Sequence, residues 1–215
     1  MYVPEHFSTA DSDALIGRLA RRVAGVLVSV DGEGQPFATH MPVLWDGRRR
    51  IVTGHIARAN PHWKLGQGRA LIVLSGPQAY VSPSFYPSKA EHGKTVPTWN
   101  YEAVHLSGVV GWFDDAARLE DVVRRLSELH ERDRAEPWRI EDAPRGYIDA
   151  LLAGIVGVEM RVERVEAKRK LSQNKKASDF EGVIAGLDAA PDGDSHEIAA
   201  LMRATRALSD DPDGN

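Results

Sequence analysis

Between residues 25 and 57 the chain alternates short, β-branched apolar runs with Asp-Gly turns, a pattern that few folds other than an antiparallel sheet accept. Val26-Leu27-Val28-Ser29-Val30 runs into Asp31-Gly32-Glu33-Gly34. Phe37, Thr39, Met41, Val43 and Trp45 then fall on every second residue, and Asp46-Gly47 leads into Arg50-Ile51-Val52-Thr53-Gly54-His55. Alternation at period two sends successive side chains to opposite faces of a sheet. Asp-Gly supplies the positive φ that tight hairpin turns demand. The pattern predicts a meander of three strands.

Further along, Ala70-Leu71-Ile72-Val73-Leu74 and Gln78-Ala79-Tyr80-Val81-Ser82 read as two strands, and residues 83–97, with Pro83, Pro87, Gly93 and Pro97, as a loop. Residues 104–113 and 156–162 return to strand character. Helical spacing appears at Leu15, Ile16, Leu19 and Val23, and at Leu119, Val122, Val123, Leu126 and Leu129. Shorter helices are predicted over 147–152 and 179–187. Strands joined by short turns, with helices inserted rather than strictly alternating, place the chain in the α+β class as an antiparallel barrel with peripheral helices. No GxGxxG follows a strand and no Walker sequence occurs, which removes the main support for dinucleotide-fold and P-loop readings. One domain is expected over 1–187. Ala189-Ala190-Pro191-Asp192-Gly193-Asp194 is a hinge into a helical extension ending near residue 208, and 209–215 is expected to be a disordered tail.

The 215 residues carry a net charge of -4, which argues against a surface that coats nucleic acid, and the chain has no cysteine. Disulfides, thiolate metal sites and a Cys nucleophile are thereby excluded. Without an apolar run of spanning length or a charged-then-apolar leader, a cytoplasmic location is expected.

Three strings concentrate hydrogen-bonding side chains beside Gly, Pro or Trp: Gly54-His55-Ile56-Ala57-Arg58-Ala59-Asn60-Pro61-His62-Trp63-Lys64, Val96-Pro97-Thr98-Trp99-Asn100-Tyr101 and Lys170-Leu171-Ser172-Gln173-Asn174-Lys175. In the first, Asn60 caps a short helix with Pro61 at its first position. Its free N–H groups, with Thr53, His55, Arg58 and Lys64, would suit a phosphate; equally, Asn60 simply caps and the basic side chains are solvated. His40, two residues before Pro42, either faces a ligand or is a satisfied, partly buried histidine. Trp99 either stacks on a planar ligand or serves a core or a dimer interface. Residues 161–176 hold seven Lys/Arg against two Glu, either a phosphate- or DNA-binding run or a solvated strand end. No HExxH, no G-x-S-x-G and no nucleophile–base arrangement accompanies them, so neither a metal site nor a catalytic residue is assigned.

These strings closely resemble the PaiB-type family of FMN-binding negative transcriptional regulators. The likeness runs through Met1-Tyr2-Val3-Pro4, Ala38-Thr39-His40-Met41-Pro42, Gly54-His55, Asn60-Pro61-His62-Trp63-Lys64, Gly76-Pro77-Gln78-Ala79-Tyr80-Val81-Ser82-Pro83, Val96-Pro97-Thr98-Trp99-Asn100-Tyr101 and Lys170-Leu171-Ser172-Gln173-Asn174, in order, up to about Leu187. The resemblance implies a split β-barrel related to the pyridoxamine-phosphate-oxidase-like flavoproteins, FMN as cofactor, and a homodimer with its sites at the subunit interface. It further implies phosphate contacts from Thr53, Arg58, Asn60 and Lys64, a strand carrying His40 and Met41 along the flavin ring, and places for Thr39, Gly54 and His55 in the same cofactor-binding set. Trp99, Gln173 and Asn174 would complete the cofactor-binding set. A regulator or redox sensor with possible DNA contacts is the implied role; a flavin-dependent reductase or oxidase is the alternative.

Overall fold

The computed structural model describes residues 1–9 and 11–210. The expected tail lies outside them from residue 211 onward. The chain divides into two compact units. The larger comprises Asp11–Ser75 and Val104–Glu166; the smaller is built from the described parts of 1–10, 76–103 and 167–215.

Among the described residues seven strands form one sheet: β1 (Gly25–Val30), β2 (Pro36–Met41), β3 (Val43–Asp46), β4 (Ile51–Ala57), β5 (Gly68–Val81), β6 (Thr98–Phe113) and β7 (Ile155–Lys170). Their order is β2-β1-β5-β6-β7-β4-β3. β1 pairs antiparallel with β2 and β5, and β4 with β3 and β7. All seven contribute to the larger unit, and β5, β6 and β7 each continue into the smaller one.

The first hairpin forms as its turn chemistry demands. Asp31 Oδ1 accepts from the N–H groups of Glu33 and Gln35, and Gly34 adopts φ +84°. The expected three-strand meander is then interrupted at Pro42. β2 and β3 are separated by that one residue, yet they occupy opposite ends of the strand order. The two Cα steps from Met41 to Val43 reach only about 7 Å, so the sheet must curl until its two edges meet, and an antiparallel split barrel results. Proline has no N–H to give to a ladder, which makes it tolerable at this corner. Gly54 lies against the same corner: a Cβ there would sit 2.5 Å from the Pro42 carbonyl oxygen, so the close approach of β4 needs a residue without a side chain.

The described residues also form six α-helices: α1 (Ser12–Ala20), α2 (Ser88–His92), α3 (Ala116–Glu131), α4 (Arg145–Ala153), α5 (Ala177–Asp188) and α6 (Gly193–Asp210). α3 is capped by the Asp115 carboxylate, which accepts from Arg118 N–H, and it buries Leu119, Val122 and Leu126 as its spacing predicts. Leu119 packs with Ile140, Ile148 and Leu152; Val122 and Leu126 pack with Leu44 of β3. In the smaller unit, Ala79, Val81 and Leu171 share one core with Phe180, Val183 and Leu187 of α5 and Ile198 and Met202 of α6. Residues on both sides of 188 therefore stabilise each other.

Two sequence readings are corrected in length. β5 is continuous where two strands were expected, because Pro77 lies beyond the stretch paired with β1, Ala70 to Val73, and costs no bond there. The expected loop 83–97 contains α2, which stops at Gly93 with φ +67°.

Candidate functional site

Nine of the twelve candidate residues, from Thr39 to Lys64, lie in the larger unit; Trp99, Gln173 and Asn174 lie in the smaller one.

In the larger unit, Asn60 holds an extended conformation (φ -72°, ψ 122°) ahead of the 3₁₀ turn Pro61–Leu65, and its Oδ1 accepts from His62 N–H at 3.0 Å. Its Nδ2 donates to Thr39 Oγ1 at 3.0 Å, and His62 Nδ1 lies 2.9 Å from the same oxygen. His62 is fully buried between the rings of Phe37 (4.9 Å) and Trp112 (5.6 Å), and its Nε2 has no hydrogen-bond partner. Burial pushes its pKa below the ordinary histidine value, favouring the neutral ring.

Arg58 is engaged elsewhere. Its Nε and Nη2 donate to the carbonyls of Ala153 and Ile155 (2.9 and 3.0 Å), and its N–H donates to Gly154 O. The guanidinium thus satisfies carbonyls at the C-terminus of α4, where a cation also complements the helix dipole. Its own carbonyl accepts from Trp63 Nε1. Lys64 stays exposed, its Nζ 5.9 Å from the Trp63 ring. His40 is exposed on β2, whereas Met41 is buried beside the Gly54 backbone. Thr53 and His55 project half-buried from the other face of β4. His55 pairs with Gly157, whose missing Cβ leaves room for the Phe113 ring; its Nδ1 has no partner and burial lowers its pKa.

In the smaller unit, Trp99 opens β6 rather than preceding it. Trp99 and Tyr80 are 50% and 48% exposed and meet edge to face at 5.9 Å. Asn100, fully buried, exchanges hydrogen bonds with the Ser172 hydroxyl in both directions at 3.0 and 3.1 Å. Ser172 is held at φ +65°, a left-handed conformation that costs a serine about 1 kcal/mol. Gln173 clamps the same turn: its Oε1 accepts from Leu171 N–H and its Nε2 donates to Arg169 O. Asn174 is exposed beyond it. Buried Glu102 pairs with Arg169 at 2.7 Å. Lys170 Nζ donates to Thr98 Oγ1, and Lys168 Nζ donates to Tyr2 O among the rings of Tyr2, Phe7 and Tyr101.

The structure therefore joins Thr39 and Asn60 directly, brings Met41 against Gly54, and turns Arg58, Asn60 and Gln173 inward as loop-holding residues. Sequence reasoning passed over four side chains that the fold makes prominent. These are His62, Tyr80, Lys170 and Lys175; each sits inside a string already singled out, but spacing does not reveal which member is buried or unpaired. Among the described residues no three His, Asp or Glu side chains gather as metal ligands. Cavities of about 390 and 350 Å³ flank α3 and are lined by none of the twelve candidates.

A barrel closed at Pro42 with helices at its periphery is a split barrel, and comparison with known proteins identifies its class as FMN-binding. Residues 1–164 match the family described as "Putative FMN-binding domain", and the chain belongs to it. It is 31% identical over 206 residues to the protease synthase and sporulation protein PAI 2 of Bacillus subtilis, covering 94% of this chain and 96% of that one. An uncharacterized protein of Aspergillus fumigatus is 36% identical over 171 residues, covering 64% and 66%. Among solved structures, an FAD and heme binding protein from Mycobacterium smegmatis superposes with a TM-score of 0.57 at 14% identity, covering 83% of this chain and 80% of that one. The flavocytochrome Anf3 from Azotobacter vinelandii gives 0.55 at 13%, covering 84% and 78%. FMN is the cofactor that this family membership assigns.

Groups of the kinds FMN needs occur in each unit. Trp99 and Tyr80 offer exposed ring surface to an isoalloxazine. Basic side chains that could meet a phosphate are present in each unit: exposed Lys64 in the larger, and half-buried Lys170 and exposed Lys175 in the smaller.

Proposed function

We propose that this protein is an FMN-binding, homodimeric regulator of the PaiB type, acting in the cytoplasm, in which flavin occupancy or redox state alters contact with DNA or a protein partner. The observation that carries this reading is the match to PAI 2 along almost the whole of both chains, together with the family match over residues 1–164. Among the described residues no helix is long and apolar enough to cross a membrane, which agrees with the location.

FMN, when bound, supplies reversible one- and two-electron chemistry; the protein's part is to hold and orient it. Within the smaller unit, Trp99 and Tyr80 would stack on the ring system and Asn174 would hydrogen-bond to a polar edge. Within the larger unit, His40, Lys64, Thr53 and the unpartnered Nδ1 of His55 are the groups that could meet a flavin. Thr39, Met41, Gly54, Arg58, Asn60 and Gln173 act one step back: they fix the loops and the barrel corner from which the exposed groups project.

Titration of flavin-free protein with FMN, read by flavin absorbance and fluorescence, tests the cofactor. Saturable binding with no turnover of reduced nicotinamide supports the regulatory reading, whereas multiple turnovers identify a reductase. Light scattering at micromolar concentration tests the dimer, and a monomer mass removes it.

A further inference from the structure

The turn 170–175 is unusual in how firmly it is held and in what it holds. Ser172 is kept in the left-handed region by its two-way hydrogen bond with buried Asn100, Gln173 bridges Leu171 N–H and Arg169 O, and Lys175 N–H closes the turn on Ser172 O at 3.0 Å. Strain sustained by that many bonds is a property of places where side-chain position matters. The groups so positioned are Lys170 and Lys175, on either side of the turn. Lys170 is half-buried and its Nζ has the Thr98 hydroxyl as partner; Lys175 Nζ lies 4.9 Å from the Tyr86 ring.

Arginines in this protein are extensively paired with carboxylates, but none of Lys168, Lys170 and Lys175 has an ion-pair partner among the described residues. Of the carboxylates nearby, Glu102 is engaged by Arg169; Asp179, against its burial, is held below the usual carboxylate pKa by the N–H and hydroxyl of Ser88, from which it accepts, and by the charge of Lys175. Burial, and then the charges of Lys168 and Lys175, hold Lys170 below the usual lysine pKa. Two ammonium groups on a firmly held turn, one of them beside a hydroxyl, make an arrangement that a dianionic phosphate would neutralise. Trp99, the residue after Thr98, adds an exposed aromatic surface.

We propose that Lys170, Lys175 and Thr98 form a site for the dianionic phosphate of a phosphomonoester, and that in this protein they anchor the FMN phosphate. The second part rests on the FMN reading above; the first does not. It also gives the phosphate an anchor distinct from the Thr53–Lys64 segment, where Arg58 and Asn60 already have partners.

The test compares FMN, riboflavin and inorganic phosphate on the full chain, with K170Q/K175Q, K64Q and the exposed-lysine control K89Q. Circular dichroism confirms the fold, and K170R/K175R provides rescue. The double Gln variant should lose about tenfold or more of the preference for FMN over riboflavin, as expected for removing charge-assisted bonds. The Arg variant should regain it, while K89Q stays unchanged. Inorganic phosphate should compete with FMN in the wild type and not in the double variant. An unchanged preference in the double variant, or its loss in K64Q instead, overturns the site while leaving FMN binding intact. Phosphate binding abolished by K170Q/K175Q in a protein that ignores FMN keeps the anion site and removes the flavin reading. No binding of either ligand overturns both.

Discussion

Asn60 separates a structural role from a ligand-contacting one, and Asn60→Ala makes the difference measurable. Its side chain caps the Pro61–Leu65 turn through His62 N–H and donates to Thr39 Oγ1. Loss of an N-cap costs about 1 kcal/mol, within a range of roughly 0.5–2. Thr39 is 7% exposed, and removing its donor adds about 1 kcal/mol for a buried acceptor left short of a bond. The sum is about 2 kcal/mol. With a denaturant slope of about 2–3 kcal/mol per molar urea, the midpoint falls by roughly 0.7–1 M. Urea titration followed by tryptophan fluorescence gives the stability. FMN and riboflavin titrations in buffer, where the variant remains folded, give the binding. The structure predicts a lowered midpoint with an unchanged ratio of FMN to riboflavin affinity. A variant of wild-type stability that has lost its preference for FMN would show that Asn60 faces the phosphate and that its inward bonds are incidental.

Ser172 and the buried histidines supply two further tests. Glycine adopts φ +65° without cost, yet Ser172→Gly should still destabilise the protein by about 1 kcal/mol, because buried Asn100 loses its partner; Ser172→Ala should be worse by about 1 kcal/mol, since it keeps the strain as well. Thermal melts of the pair check the order, and equal melting temperatures would refute it. Burial holds His62 and His55 below their ordinary pKa, so the unfolded chain binds more protons than the folded one as pH falls below about 6.5. Stability should therefore be full near pH 7.5 and decline toward pH 5. His62→Gln, which does not titrate, should flatten that decline in urea midpoints measured across the range, and an unaltered slope would contradict the assignment.

Much of the barrel was legible because period-two alternation and Asp-Gly turns are local signals, and the α3 face was legible for the same reason at period 3.6. The closure was not. Pro42 marks a break, but only the strand order shows that β2 and β3 lie at opposite edges, since that order depends on pairings remote in sequence. Pro77 similarly suggested a strand end, because sequence does not show that β1 has stopped pairing before it. At the site, residue types were readable and their availability was not. Arg58 looked like a phosphate ligand until the α4 carbonyls were seen to occupy it. Gln173 looked like a cofactor contact, but both ends of its amide are bound to the backbone of its own turn. Lys170 and Lys175 were lost in a basic run whose charge alone fits a solvated strand end equally well.

The central claim is that this barrel holds FMN, and the measurement closest to it is equilibrium titration of the purified, flavin-stripped full chain with FMN, monitored by quenching of flavin fluorescence. The account predicts saturable quenching at one FMN per chain, with riboflavin binding more weakly. Fluorescence that stays unquenched at micromolar protein, with circular dichroism showing the chain folded, would contradict it.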